Sequence, residues 1–443
     1  MFILPARHLK TKDFRQQISH LFTLFSQRRR RVWLENSSWD TMGHTMPSSC
    51  RYSLPARALT ALAVLAVSFT AHASEISDNT PEEMTPLLLS VPNAPVPFNG
   101  SDGRTHLVYE LTLTNFSSGE VAVEKVEILG DGVVLQNLDT VTIATRLQPA
   151  GQRESTGSLA KSTQATLFLN VALAPGSPIP QRLTHRVIAR ASAAPPGHQE
   201  ITESGGPTPV NRQPVVIIGP PLQGTGYISA DSCCDATRHT RAALPINGRV
   251  WISQRMAVDW ERLDSEGRIY SGTRKKPESY TIYGKPVLAV SDGVVVNTMD
   301  GQPEQTPGKY PAGISLTEAD GNFVIQDFGQ HRYALYAHMQ PGSIRVHKGD
   351  RLTRGQVVGL VGNTGNSVAP HLHFQVMDGP SSFTSNGLPY EIDAFQVTGQ
   401  TPGTGAFDKA EADGTPLAVT PESPPRTVKN ALPLDQLIIA FPK

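Results

Sequence analysis

Two histidines, His371 and His373, stand at i and i+2 in the run Pro370-His-Leu-His-Phe374. Side chains alternate along a β-strand, so both imidazoles share one face while Leu372 and Phe374 turn to the other. An apolar layer on that second face holds the two rings rigid, as a metal site requires. The competing reading is a surface strand with two ordinary histidines. The turn before the strand, rich in Gly and Asn and closed by Pro370, stops the chain where a site can stand open to substrate.

The elements that must position this pair are strands. The chain has 443 residues, 39% hydrophobic and 18% charged, with 37 Gly, 36 Pro and only 7% aromatics, which suits many short strands joined by turns. Its length fits about two domains. The 39 basic and 39 acidic residues cancel, so no electrostatic case exists for a nucleic-acid partner.

The N-terminus reads as an address. Arg51 and Arg57 precede an apolar run over residues 58–69, and Ala71-His-Ala73 follows it. The run is too short for a membrane span and the small-residue pattern suits signal-peptidase cleavage before Ser74. Residues 42–73 are therefore expected to be a signal peptide, with Met42 or Met46 as alternative starts and residues 1–41 an extended leader or an early start. The expected location is the periplasm or the outside of the cell. Cleavage would remove Cys50 and leave Cys233 and Cys234, neighbours that can form a vicinal disulfide or bridge to another chain. A soft metal site of these thiols with His239 is disfavoured, because adjacent thiolates seldom converge on one tetrahedral ion.

Residues 74–214 contain alternating segments at 107–114, 121–129, 165–173 and 183–191, separated by turn clusters. This predicts an immunoglobulin-like β-sandwich of about 130 residues. No catalytic constellation lies in it, and His185 reads as a solvated strand residue. Residues 205–221 read as a Pro/Gly-rich linker with a short strand at 215–218.

Residues 215–400 hold five blocks in a recognisable order: residues 283–295, Gly321-Asn-Phe-Val-Ile325, Tyr336-Ala-His338-Met339, residues 348–359, and residues 362–367 followed by Pro370-His-Leu-His-Phe374. This domain resembles the lysostaphin/LytM-type zinc metallopeptidases that cut peptidoglycan cross-links. The resemblance implies an antiparallel β catalytic domain, a Zn2+ cofactor, and a peptide or peptidoglycan substrate. It implies that His373 and Asp259 are zinc ligands, while His371 and His338 serve as base and as donor to the oxyanion of the tetrahedral intermediate. A hydrolytic zinc takes three protein ligands and leaves one position open. By strand alternation Tyr336 and His338 are expected on one face.

The sequence departs from the family at the first ligand, normally a histidine four residues before the aspartate, where Arg255 stands. A guanidinium stays protonated and offers no lone pair. Leu244-Pro-Ile-Asn-Gly248 looks like a hairpin turn that pairs the strand carrying His239 with the one carrying Asp259, placing His239 opposite about Met256. His239 is thus the candidate third metal ligand, against the reading of an exposed loop histidine between Arg238 and Arg241. A second departure is the Gly/Pro-rich stretch 297–318, expected to wall a groove. Residues 401–443 read as a low-complexity tether that ends in a docking strand.

Two functions compete. One is a secreted zinc endopeptidase. The other is a catalytically degenerate, LytM-like binding protein that activates other cell-wall hydrolases through a protein partner in the envelope. Intact His338, His371, His373 and Asp259 favour the first, and Arg255 favours the second. A lipoyl or biotinyl carrier is set aside because Lys348 is not in an exposed turn of the required kind.

Overall fold

The computed structural model describes residues 84–235 and 237–442, so the expected leader of residues 1–41 and signal peptide of residues 42–73 lie outside the described residues. Between Leu87 and Pro209 the chain builds two antiparallel sheets. One has the order Leu87–Ser90, Thr105–Asn115, Gln164–Leu173, Leu147–Pro149, and the other Glu200–Pro209, Arg182–Ala191, Val121–Gly130, Val133–Leu138. Period-two patterning closes them on each other: Leu107, Tyr109 and Leu111 from the first sheet share a core with Leu183, Val187 and Ala189 from the second.

The strand Thr105–Asn115 is also buried on its outer face, where Val108 joins the core of the following domain. Backbone bonds from Leu432 N to Asn99 O (2.8 Å) and from Ser101 N to Leu432 O (3.0 Å) add to this docking.

Two sequence expectations fail in this region. His185 is buried, not solvated. It lies on the face of Leu183 and Val187, its Nε2 is 2.8 Å from the Tyr109 hydroxyl, and burial pushes its pKa down to about 4. Residues 205–209, expected to begin a linker, complete the strand Glu200–Pro209. The ladder is irregular between Gly205 and Thr208, and Gly206 takes φ +58°, so the glycines mark a bulge.

The second domain is built on one large sheet. Its order is Val216–Ile218, Tyr390–Gln400, Leu437–Phe441, Gly224–Ala230, Val258–Arg262, Leu372–Met377, Tyr333–Met339, Asn322–Asp327, Gly293–Met299, Arg351–Leu352. All neighbours are antiparallel except Val216–Ile218, which runs parallel to Tyr390–Gln400. One face packs Trp260, Tyr336, Phe374 and Tyr390 into the core. The other face carries Asp259 and His373.

The expected docking strand is present, but the stretch before it is not a tether. Residues 401–443 form the helix Thr404–Asp413, a strand Thr420–Ala431 paired with Tyr390–Gln400, and the strand Leu437–Phe441 inside the sheet. Gly414, left-handed at φ +68°, ends the helix, its N–H donating to Ala410 O. The strand Thr420–Ala431 is mostly exposed and held by ladder bonds, so it has no apolar alternation to betray it. The loop expected at 297–318 begins later, since Met299 still pairs with Phe323.

Candidate functional site

Four neighbouring strands bring the site together. Asp259 on Val258–Arg262 pairs with Ala230 on one side and with His373 on the other, and His373 pairs in turn with Ala337. His371 lies just before the strand Leu372–Met377, and both its ring and that of His373 are almost wholly buried.

His338 reaches the same place against the alternation rule. Tyr336 pairs with Phe374 on the core face, and its hydroxyl donates to Gln326 Oε1. His338 should follow it there. Instead His338 takes a left-handed φ of +63°, and its ring centroid stands 4.7 Å from that of His371 and 5.9 Å from that of His373. The expectation that Tyr336 and His338 share a face is therefore wrong, and a backbone conformation costly for a non-glycine residue is the reason.

His239 also arrives, by a route other than the expected one. The hairpin exists, with Leu244 opposite Trp251 and Asn247-Gly248 at positive φ, but its pairing spans only Leu244–Ile246 and Arg249–Trp251. His239 stands on no strand. The strand Gly224–Ala230 runs beside Val258–Arg262, and the turns after Ala230 fold back so that His239 Nε2 lies 3.4 Å from Asp259 Oδ2. Arg255 points elsewhere, to Glu110 of the N-terminal domain.

The hydrogen bonds fix where the lone pairs face. His239 Nδ1 donates to Asp231 O at 2.9 Å, so Nε2 is the ring nitrogen turned toward Asp259. His373 Nε2 donates to Gln375 Oε1 at 2.9 Å, so Nδ1 is the ring nitrogen turned toward Asp259 Oδ1, also 2.9 Å away. Two imidazole nitrogens and a carboxylate thus converge on one point, which either protons on the rings or a bound cation satisfies. Two imidazoles with one carboxylate are a donor set suited to a catalytic zinc. These three residues therefore fit the metal. His338, His371 and His373 form a second close group.

The other two rings are oriented the same way. His371 Nδ1 donates to Ala369 O and His338 Nδ1 to Thr364 O, each at 2.8 Å, leaving both Nε2 atoms turned inward. The field agrees with a site built for positive charge. Burial lowers the pKa of His239, but the Asp259 carboxylate overrides this and lifts it to about 9. Burial works against an ionised Asp259, yet His239 and His371 hold it well below the usual carboxylate range. Burial, with His371 and His373 alongside, holds His338 well below its usual value and so neutral.

The cavity over these groups has a volume of about 80 Å³. Tyr310, from the long loop after Met299, lines it, and so do Phe407, Asp408 and Glu411 from the helix Thr404–Asp413. The loop is pinned to the turn before His371: Glu304 Oε2 accepts from Asn363 N at 2.6 Å, and Gly308 N donates to Val368 O at 2.7 Å. Cys233 and Cys234 form a vicinal disulfide, so no thiolate is offered to a metal with His239. Sequence reasoning missed Gln375 and Glu261, although each lies two residues from a recognised ligand and the alternation rule places both on the site face. It also missed the helix residues, for which the sequence carries no signal.

Parts of the chain are similar to known proteins. Residues 279–385 match peptidase family M23. The peptidoglycan DD-endopeptidase ShyA of Vibrio cholerae is 28% identical over 179 residues, which cover 36% of this chain and 37% of that protein. The glycyl-glycine endopeptidase ALE-1 of Staphylococcus capitis is 40% identical over 105 residues, 23% of this chain and 24% of that protein. This chain thus spans well under half the length of these curated relatives. Among solved structures, the catalytic domain of lysostaphin from Staphylococcus simulans is 25% identical, covering 37% of this chain and 86% of that one, with a TM-score of 0.20.

Proposed function

We propose that this chain, which through residues 279–385 belongs to the lysostaphin/LytM type of peptidase family M23, is a zinc metalloendopeptidase hydrolysing peptide bonds of peptidoglycan cross-bridges. The observation that carries this reading is the convergence of His239 Nε2, Asp259 and His373 Nδ1, with the Nε2 atoms of His338 and His371 beside it. Its N-terminal domain is of immunoglobulin type in this reading. The two sheet orders support that assignment, because they correspond to the A-B-E-D and G-F-C-C′ layers of such a sandwich. An envelope location follows from the leader read in residues 42–73.

His239, Asp259 and His373 would hold the ion, and Zn2+ there supplies Lewis acidity that makes water a nucleophile at neutral pH. The chain's own residues do the rest. Asp231 O and Gln375 Oε1 fix the tautomers of the two ligand rings. The inward Nε2 of a neutral imidazole takes the proton of the attacking water, and once protonated it delivers that proton to the leaving nitrogen. His371 and His338 stand close enough to divide this work, one as base and one as donor to the oxyanion. Arg255, the residue that favoured a degenerate binding protein, is accounted for by its pairing with Glu110.

Metal analysis of the purified chain at neutral pH tests this reading. One zinc per chain is expected, with loss of the metal in Asp259→Asn and His373→Ala. His371→Ala should keep zinc and lose muropeptide hydrolysis by roughly a hundred- to ten-thousand-fold. A chain unable to take up zinc from micromolar solution overturns the enzyme reading.

A further inference from the structure

Glu261 lies two residues beyond Asp259 on the same face of its strand, about 7 Å along by the rise of a β-strand, because Trp260 between them enters the core. It is buried, it lines the cavity of the His–Asp centre, and its Oε2 has no hydrogen-bond partner. Glu411, one helical turn after Phe407, lines the same cavity, and its Oε1 is likewise buried without a partner.

The cavity's other acidic groups are served. Arg238 donates from Nη1 to Asp231 (2.9 Å) and from Nη2 to Asp408 (2.6 Å), which spends the only arginine on the cavity wall. Among the described residues no ion pair joins Glu261 or Glu411 to a cation. Two buried carboxyl oxygens left without donors leave a place for a donor-rich group from outside, since Arg274, the cation that acts most strongly on Glu411, is not on the cavity wall.

We propose that Glu261 and Glu411 form a recognition subsite for a primary ammonium of the substrate, next to the scissile bond. This rests on the peptidase reading and narrows it to peptides with a free amine at that position, either an α-amino terminus or an unacylated side chain. An ammonium fits better than a metal ion or a guanidinium. Its three donors can be shared by two carboxylates, both compact metal-type groups among the described residues consist of other residues, and a cavity of about 80 Å³ suits a small head group.

The test uses one fluorescein-labelled cross-bridge peptide with both amines free, with either amine acetylated, and with both acetylated. Turnover is measured on the zinc-loaded chain, and binding by fluorescence anisotropy on the His371→Ala chain as purified. The free-amine peptide should be favoured over the doubly acetylated one by on the order of tenfold to a hundredfold, the range for a hydrogen bond to a charged group. The singly acetylated forms show which amine is read. Glu261→Gln and Glu411→Gln, each added to the chain used in the assay, should bring that ratio close to one while zinc content stays at one per chain. Discrimination in binding without cleavage upholds the subsite and sinks the peptidase reading. Cleavage without discrimination does the opposite. Discrimination that survives in both glutamine variants, or no binding of any form, overturns the subsite.

Discussion

Arg255 donates through Nε and Nη2 to the two carboxylate oxygens of Glu110, each at 2.7 Å, and through Nη1 to Gly387 O at 2.9 Å. Both side chains are buried, so Arg255 joins the two domains. Removing one partner strands a buried charge, at a cost of about 3–5 kcal/mol. Glu110→Ala and Arg255→Ala should each lower the denaturation midpoint accordingly without changing zinc stoichiometry. Arg255→His should also destabilise the chain and recruit no extra metal affinity, because position 255 faces Glu110. A zinc site strengthened in Arg255→His would show that this side chain belongs to the metal centre after all.

His239 carries the opposite expectation. Its Nε2 is turned to Asp259, and with that nitrogen as a ligand His239→Ala should weaken zinc binding by more than the ten- to hundredfold that outer partners usually supply. Competition with a chromophoric chelator measures this. Equal affinities in wild type and variant would leave the centre with only two protein ligands and refute the assignment.

What could be read in advance depended on whether the signal was local. Strands such as Gln164–Leu173 and Arg182–Ala191 show in the sequence because period-two burial is written residue by residue. The same rule would have placed His185 inside, beside Leu183 and Val187, had its polarity not argued otherwise. His371 and His373 were legible as a pair for the same reason. His338 was misplaced because nothing in Ala337-His338-Met339 announces a left-handed residue. His239 was a candidate for the site, and the structure brings it to Asp259 by another route. Its position depends on the long-range pairing of Gly224–Ala230 with Val258–Arg262, and not on the nearby hairpin. The helix Thr404–Asp413 buries only Phe407 and Ala410, too little apolar periodicity to separate it from a tether.

Gln375 holds the ring of His373 through Nε2 at 2.9 Å and is itself fully buried. Gln375→Leu keeps the volume and removes the acceptor, so the proton on His373 is free to move to Nδ1 and block the ligand lone pair. Zinc affinity should fall roughly ten- to a hundredfold, with the fold retained by circular dichroism. Unchanged affinity would mean that the metal reads the other nitrogen.

Glu304 ties the long loop to the turn before His371, its Oε2 accepting from Asn363 N and its Oε1 from the Tyr283 hydroxyl at 3.1 Å. Burial outweighs both bonds and raises its pKa from an ordinary 4.5 to about 7. The folded state therefore binds this proton more tightly than the unfolded state does. Its stabilising contribution is complete below about pH 4.5 and is lost as pH rises through about 7, so in that window stability from this group declines with pH. Asp435, raised by burial to about 7, acts in the same direction, which makes the difference between wild type and Glu304→Gln the informative quantity. Urea midpoints measured from pH 5 to pH 8 should fall less steeply in the variant, with the gap between the two curves opening up to about pH 7 and staying constant above it. Parallel curves would show that Glu304 is ionised throughout and that solvent reaches the loop more freely than its burial implies.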